Sequence, residues 1–298
     1  MYGIITSLYS VIVCASGEGK DASAVMGSGT LGKAILVTSG KGGTGKTTVT
    51  AGIAACLAAL GRRVVCIDAD VGLRNLDIVL GMSDLVALDF QDVLTGGAAL
   101  REALYQHPQI PGLFLLAAPT DRQAGQVAPE LFAEMVRALQ KYSDYCLIDC
   151  AAGLGESFYL AAGACDHAIL VGVLETPALR DAARTAGLLS SLNLKSVWLA
   201  LNRIRPELIA VSDANVDDAM DLVGLPLLGL VPEDISVIDA SNRGIPLILY
   251  GQTGASLSML RMAKRLEGER VPLTEKSLKA RYHPQKGSAV HKKTGGRK

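Results

Sequence analysis

Ala34-Ile35-Leu36-Val37-Thr38-Ser39-Gly40-Lys41-Gly42-Gly43-Thr44-Gly45-Lys46-Thr47-Thr48 is the stretch of this 298-residue chain on which its reading turns. The opening run, Ala34 to Thr38, is short, continuous and apolar, as in a strand covered on both faces. Four glycines fall between positions 40 and 45, and an Ala-rich segment from Lys46 to Leu60 then reads as a helix stopped by Gly61. Gly40 to Thr47 satisfies G-x-x-x-x-G-K-[ST] between a strand and a helix, the context that pattern requires. Glycines here let successive backbone N–H groups turn inward as an anion nest, completed by the N-terminus of the following helix. Lys46 is then placed to reach the β- and γ-phosphates of a nucleotide, and the Thr47 hydroxyl to ligate Mg²⁺. Gly40, Lys41, Gly42, Gly43, Thr44, Gly45, Lys46, Thr47 and Thr48 form the expected phosphate-binding set.

Outward from this loop the chain alternates. Apolar runs at Val64–Ile67, Leu113–Ala117, Tyr145–Ile148, Ala168–Val173, Val197–Leu201 and Leu227–Leu230 read as strands. Helical patterns at Glu130–Gln140, Leu179–Leu192 and Ser256–Leu266 separate several of them. Alternation of this kind gives βαβ units with right-handed crossovers. The expected fold is a three-layer α/β domain, a mostly parallel sheet with helices on both faces. The domain is expected over residues 33–268, after a Gly/Ser-rich leader at 1–32 and before a basic, unstructured tail at 269–298. Within the leader, Gly17-Glu18-Gly19-Lys20 imitates a phosphate loop, but Cys14 stands where its first glycine belongs.

Composition narrows the function classes. Hydrophobic residues make up 49%, and 29 basic residues balance 29 acidic ones, so the whole chain carries no nucleic-acid signature. Six cysteines lie mostly in apolar runs with no Cys-x-x-Cys pair, which argues for reduced, buried thiols and a cytoplasmic protein. No apolar run approaches the ~18 residues of a spanning helix.

Three carboxylates close strand-like runs. Asp68 and Asp70 follow Val64–Ile67 and, being two apart, share a face of an extended segment. Asp149 closes Tyr145–Ile148 in the same way. All three point to the crevice beyond the carboxyl ends of the strands, where open α/β sheets bind nucleotides. At Asp149 such a carboxylate suits Mg²⁺ binding together with Thr47. No His or Glu is placed as a general base, so slow phosphoryl transfer by positioning and charge neutralisation is expected.

Lys41-Gly42-Gly43-Thr44-Gly45-Lys46-Thr47 resembles the signature of the MinD/ParA family of deviant Walker A ATPases. The resemblance implies that Lys41 crosses an ATP-sandwich homodimer to the partner's nucleotide, as a cation supplied in trans. Asp68 to Asp77 is similar to the first switch segment of the family's MinD branch, which implies a water-positioning Asp70, an Asp68 that joins Thr47 and Asp149 in the metal set, and an Asn75 that reaches across the dimer. The catalytic set so implied is Lys41, Lys46 and Asp70. Asp149-Cys150-Ala151-Ala152-Gly153 resembles the second switch, with alanine where the family usually has proline. Asn202 and Arg203, with Pro232 and Asp234, resemble the adenine pocket, and Ser241 to Pro246 matches a further MinD-like stretch. The resemblance spans residues 33–272. It implies ATP and Mg²⁺ as cofactors, division-site placement as the role, and a division inhibitor and an ATPase activator of the Min type as partners. Partition of DNA or control of flagellar number is the alternative within the family. The tail departs from the MinD branch: Lys276, Lys279, Arg281, Lys286, Lys292, Lys293, Arg297 and Lys298 surround few apolar residues. Such a tail attracts an anionic membrane surface, to which the protein would be peripheral, or nucleic-acid phosphate, or stays solvated.

Overall fold

The computed structural model describes residues 31–121, 127–205 and 215–273. The readings that fall on residues 1–30 and 274–298, most of the leader and of the basic tail, lie outside the described residues.

Each apolar run is a strand: β1 Lys33–Thr38, β2 Val64–Ala69, β4 Leu113–Leu116, β5 Tyr145–Cys150, β6 His167–Val173, β7 Ser196–Ile204 and β8 Leu227–Pro232. An eighth described strand, β3 Leu104–Gln106, was not visible in the pattern. It is three residues long, half-exposed, and the one antiparallel member, paired with β4. The sheet order is β3-β4-β2-β5-β1-β6-β7-β8, with the remaining pairs parallel.

Two apolar layers flank the sheet because alternate residues of a strand face opposite ways. Ala34 and Leu36 of β1 belong to one layer, with Phe132 and Met135 of α5 (Pro129–Gln140), Phe158 of α6 (Glu156–Gly163) and Leu179 and Ala182 of α7 (Thr176–Ser190). Ala219 of α8 (Val216–Val223) joins the same side. Ile35 and Val37 face the other layer, built from α1 (Lys46–Ala59), Leu76 of α2 (Leu76–Val79), Ala240 of α9 (Ile235–Asn242) and Met259 and Met262 of α11 (Gly254–Leu266). Short α3 (Phe90–Leu94), α4 (Leu100–Ala103) and α10 (Leu247–Tyr250) fill the connections.

This order places the chemistry. β1 lies between β5 and β6, so the loop leaving β1 opens beside the end of β5. The register pairs Val37 with Asp149 and Asp68 with Asp149, bringing two of the three strand-end carboxylates side by side. The five described cysteines are free thiols, four of them buried, and burial pushes Cys56, Cys146 and Cys150 up to about 12. They therefore pack as small hydrophobes. No helix among the described residues is long and apolar enough to cross a membrane.

Candidate nucleotide site

Between β1 and α1 the backbone turns through Gly43 and Gly45, at φ +79° and +87°, where a side chain is strained. A Cβ on Gly45 would also stand 2.2 Å from the Asn202 amide nitrogen, and one on Gly40 would stand 2.6 Å from the backbone of Asp181 in α7. Glycine is thus demanded at one end by packing and at the other by conformation and packing together. Lys41, Gly42 and Gly43 are exposed, whereas Thr44 and Lys46 are buried. α1 begins at Lys46 with no side-chain cap and no acidic residue in its first turn. Its leading N–H groups and the positive end of its dipole are therefore directed to an anion from outside the chain.

Asp149 is the hub beneath the loop. It is 1% exposed; its Oδ2 accepts from Thr47 Oγ1 at 2.6 Å, and its Oδ1 lies 3.1 Å from Thr50 Oγ1. The Thr50 hydroxyl shares its single proton between that oxygen and the Lys46 carbonyl at 3.0 Å. Burial raises the Asp149 carboxyl above its usual range, opposed by the charge of Lys46 and by the Thr47 and Thr50 hydroxyls. Thr50 was missed in the sequence, although its spacing of three from Thr47 puts both on one helix face.

Asp68 is fully buried, and its two oxygens receive the backbone N–H of Asp70 at 2.9 Å and of Leu76 at 3.0 Å. Burial pushes it up to about 7, the Asp149 charge adds to the rise, and the two N–H donors oppose it. The carboxylate expected on the metal network therefore also pins both ends of the 70–76 segment. Within that segment Arg74 takes φ +38° and donates to Asp77 Oδ2 at 2.8 Å, and Gly72 N donates to the Pro119 carbonyl. Asn75 is exposed at the start of α2 and its side chain caps nothing there. Asp70 is half-buried at the same rim.

The second cluster is mixed. Asn202, buried in β7, donates its amide N–H to the Thr44 carbonyl at 2.8 Å, so it braces the phosphate loop. Arg203 beside it is exposed, at φ +53°, where the β7–β8 register shifts. Pro232 ends β8, and Asp234 caps α9 through Ser236 N at 2.9 Å while accepting Ala255 N at 3.1 Å. Both Asp234 oxygens are thus engaged in tying α9 to α11.

The residues fit a nucleotide with Mg²⁺. Among the described residues no three carboxylate, His or Cys side chains stand close enough to hold a metal by themselves. Mg²⁺ needs no such cage, since it is commonly held by one or two protein groups with water and substrate phosphates. The Thr47–Asp149 pair beside an uncapped helix N-terminus provides that kind of site.

Residues 35–247 match the family described as the CobQ/CobB/MinD/ParA nucleotide binding domain. The chain belongs to the MinD/ParA nucleotide-binding family. It is 39% identical over 246 residues to the septum site-determining protein MinD of Bacillus subtilis, covering 82% of this chain and 92% of that one. Among solved structures, MinD in a MinC:MinD cell division protein complex of Aquifex aeolicus is similar at TM-score 0.76 and 36% identity, covering 82% and 98%. MinD of Pyrococcus horikoshii, solved with Mg-ADP, is similar at TM-score 0.71 and 31% identity, covering 80% and 96%. The MinD/ParA fold expected from the loop is therefore the fold found, and nucleotide binding follows from the family.

Proposed function

We propose that this chain is a Mg²⁺-dependent ATPase of the MinD type that acts in septum-site placement by assembling and disassembling with its nucleotide state. The observation that carries the reading is the hydrogen bond from Thr47 to buried Asp149 beneath a glycine loop that opens onto an uncapped helix. In this reading Lys46 and the N–H groups of the loop bind the β- and γ-phosphates of ATP, Thr47 holds Mg²⁺, and Asp149 orients Thr47. Bound there, Mg²⁺ supplies charge neutralisation between phosphate oxygens. Asp70 orients water for attack on the γ-phosphate. Exposed Lys41 serves the nucleotide of a second copy, which makes an ATP-bound homodimer the active species. The MinD relatives, one of them in complex with MinC, support a division inhibitor of that kind as partner.

Size-exclusion chromatography with ATP on wild type, Lys41→Ala and Asp70→Ala tests the reading. The wild type shifts to a dimer and reverts as ATP is consumed. Asp70→Ala stays dimeric, because a water-positioning carboxylate adds little to ground-state binding. Lys41→Ala binds ATP as a monomer and loses roughly 10³-fold or more in turnover, the scale of a lost trans cation. A Lys41→Ala protein that dimerises and hydrolyses normally removes the reading.

A further inference from the structure

The two switch segments of this site are joined by one hydroxyl that the mechanism above does not use. Ser157, in the first turn of α6, accepts the backbone N–H of Ala151 at 3.0 Å and donates to the Ala69 carbonyl at 2.7 Å. Ala69 stands between Asp68 and Asp70, and Ala151 follows Asp149 and Cys150. Ala69 and Cys150 are register partners at the ends of β2 and β5, so the hydroxyl sits where the ladder between the strands runs out. It couples an N–H on one strand end to a carbonyl on the other. Nearby, Gly153 N donates to the Ser39 carbonyl, holding the same segment to the phosphate loop.

We propose that Ser157 is a positioning residue that locks the second switch to the first and so sets where Asp70 stands relative to the phosphate loop. A serine is suited to this because one oxygen can accept from one segment and donate to the other. The device depends on the N–H of Ala151, which a proline at that position would lack. Without the hydroxyl, both backbone groups lose their partner at a half-buried site and the two strand ends are free to part. The turnover arm below rests on the ATPase reading, whereas the exchange arm does not.

The test is a double-mutant cycle of Ser157→Ala and Ala151→Pro in the full chain, read by steady-state ATP kinetics and by amide hydrogen exchange in nucleotide-free protein. Cys150 ends β5 in the extended conformation preferred before proline, so the preceding residue presents no obstacle to Ala151→Pro. Ser157→Ala lowers kcat by about 10- to 100-fold, the cost of an ångström-scale misplacement. KM for ATP stays within about threefold, since ground-state binding is untouched. Exchange over residues 69–76 and 150–155 accelerates by about tenfold, as when an opening loses one hydrogen bond. In the Ala151→Pro background, where the link between the two segments is already broken, Ser157→Ala costs about threefold or less in kcat. Should Ser157→Ala fail to fold, Ser157→Cys keeps a donor and acceptor atom at the site, weakens both bonds, and is read the same way. Unchanged exchange in Ser157→Ala overturns the proposal, as does an undiminished effect in the proline background. A wild type without ATP turnover defeats the ATPase reading alone and leaves the exchange result to decide the clamp.

Discussion

Replacing Asp149 by Asn separates a metal-orienting carboxylate from one that merely holds the fold. Its two oxygens take the Thr47 and Thr50 hydroxyls in a position 1% exposed to solvent. An amide keeps the shape and can still accept from Thr47, but it loses the charge. The lost charge assistance is about 1 kcal/mol per hydrogen bond, or about 2 kcal/mol in all. Against this, burial already raises the Asp149 carboxyl, so the substitution also relieves a desolvation cost that offsets part of the loss. The nucleotide-free protein should therefore melt within about 5 °C of wild type, at about 2–4 °C per kcal/mol for a domain of this size. Nucleotide changes the comparison. At 100 times Kd a ligand stabilises by about 2.7 kcal/mol, which here is about 5–10 °C. Melts with ADP, in Mg²⁺ or in EDTA, divide that rise into its metal-dependent and metal-independent parts. Wild type should show the larger rise with Mg²⁺; Asp149→Asn should show the same rise in both. A variant that keeps the full Mg²⁺ increment refutes the metal role. A nucleotide-free variant that melts more than about 10 °C lower makes Asp149 a structural residue instead.

Two further outcomes follow from the geometry. Lys46→Ala should abolish nucleotide retention in a filter-binding or fluorescent-nucleotide assay, and equal affinity in wild type and variant would defeat the assignment of the loop. His107 is buried, its Nε2 3.0 Å from the Leu80 carbonyl and its Nδ1 accepting the N–H groups of Gln109 and Ile110, so the ring is held neutral. Burial lowers its pKa below 6.5, so below that pH the unfolded chain binds the extra proton; this stability is complete above 6.5 and is lost as pH falls. Between pH 7.5 and 5 the melting temperature of nucleotide-free wild type should fall relative to that of His107→Asn; a constant difference between the two refutes the assignment.

The sheet and the phosphate loop were legible in the sequence because both are written locally. Strands buried on both faces appear as continuous apolar runs, and the loop's glycines mark left-handed backbone at Gly43 and Gly45. The facing of Asp68 and Asp149 was legible too, since strand-end carboxylates meet when their strands are neighbours. What stayed hidden depends on contacts remote in sequence. β3 is three residues long and sits at an edge, too short to show a period. Asn202 braces Thr44 across 158 positions, which no local pattern reports. Ser157 carries no motif at all; its role exists only because the fold brings the ends of β2 and β5 to the first turn of α6.

The electrostatics of the site explain why nucleotide and metal should bind as a pair. Asp68 and Asp149 are register neighbours, both buried, and burial raises both carboxyls despite their hydrogen bonds, with the charge of Asp149 adding to the rise of Asp68 and that of Asp70 to the rise of Asp149. Lys46 is the cation that relieves Asp149, and on the proposed reading its charge also serves the phosphates. An anionic nucleotide alone would compete with Asp149 for Lys46 and return the carboxylate to an uncompensated state. Mg²⁺ alone would meet a half-satisfied site, since it favours carboxylate together with phosphate oxygens. Together they restore the balance, because the dication offsets the charge that the phosphates withdraw. The coupling is reciprocal by linkage, so each tightens the other by the same factor. On the proposed reading its effect would reach the 70–76 segment through Asp68, whose oxygens hold Asp70 N and Leu76 N. A cation that favours the ionised form of Asp68 strengthens both of those bonds. On the proposed reading, the segment carrying Asp70 would thereby be fastened most firmly with metal and nucleotide both bound, which is when hydrolysis would require it.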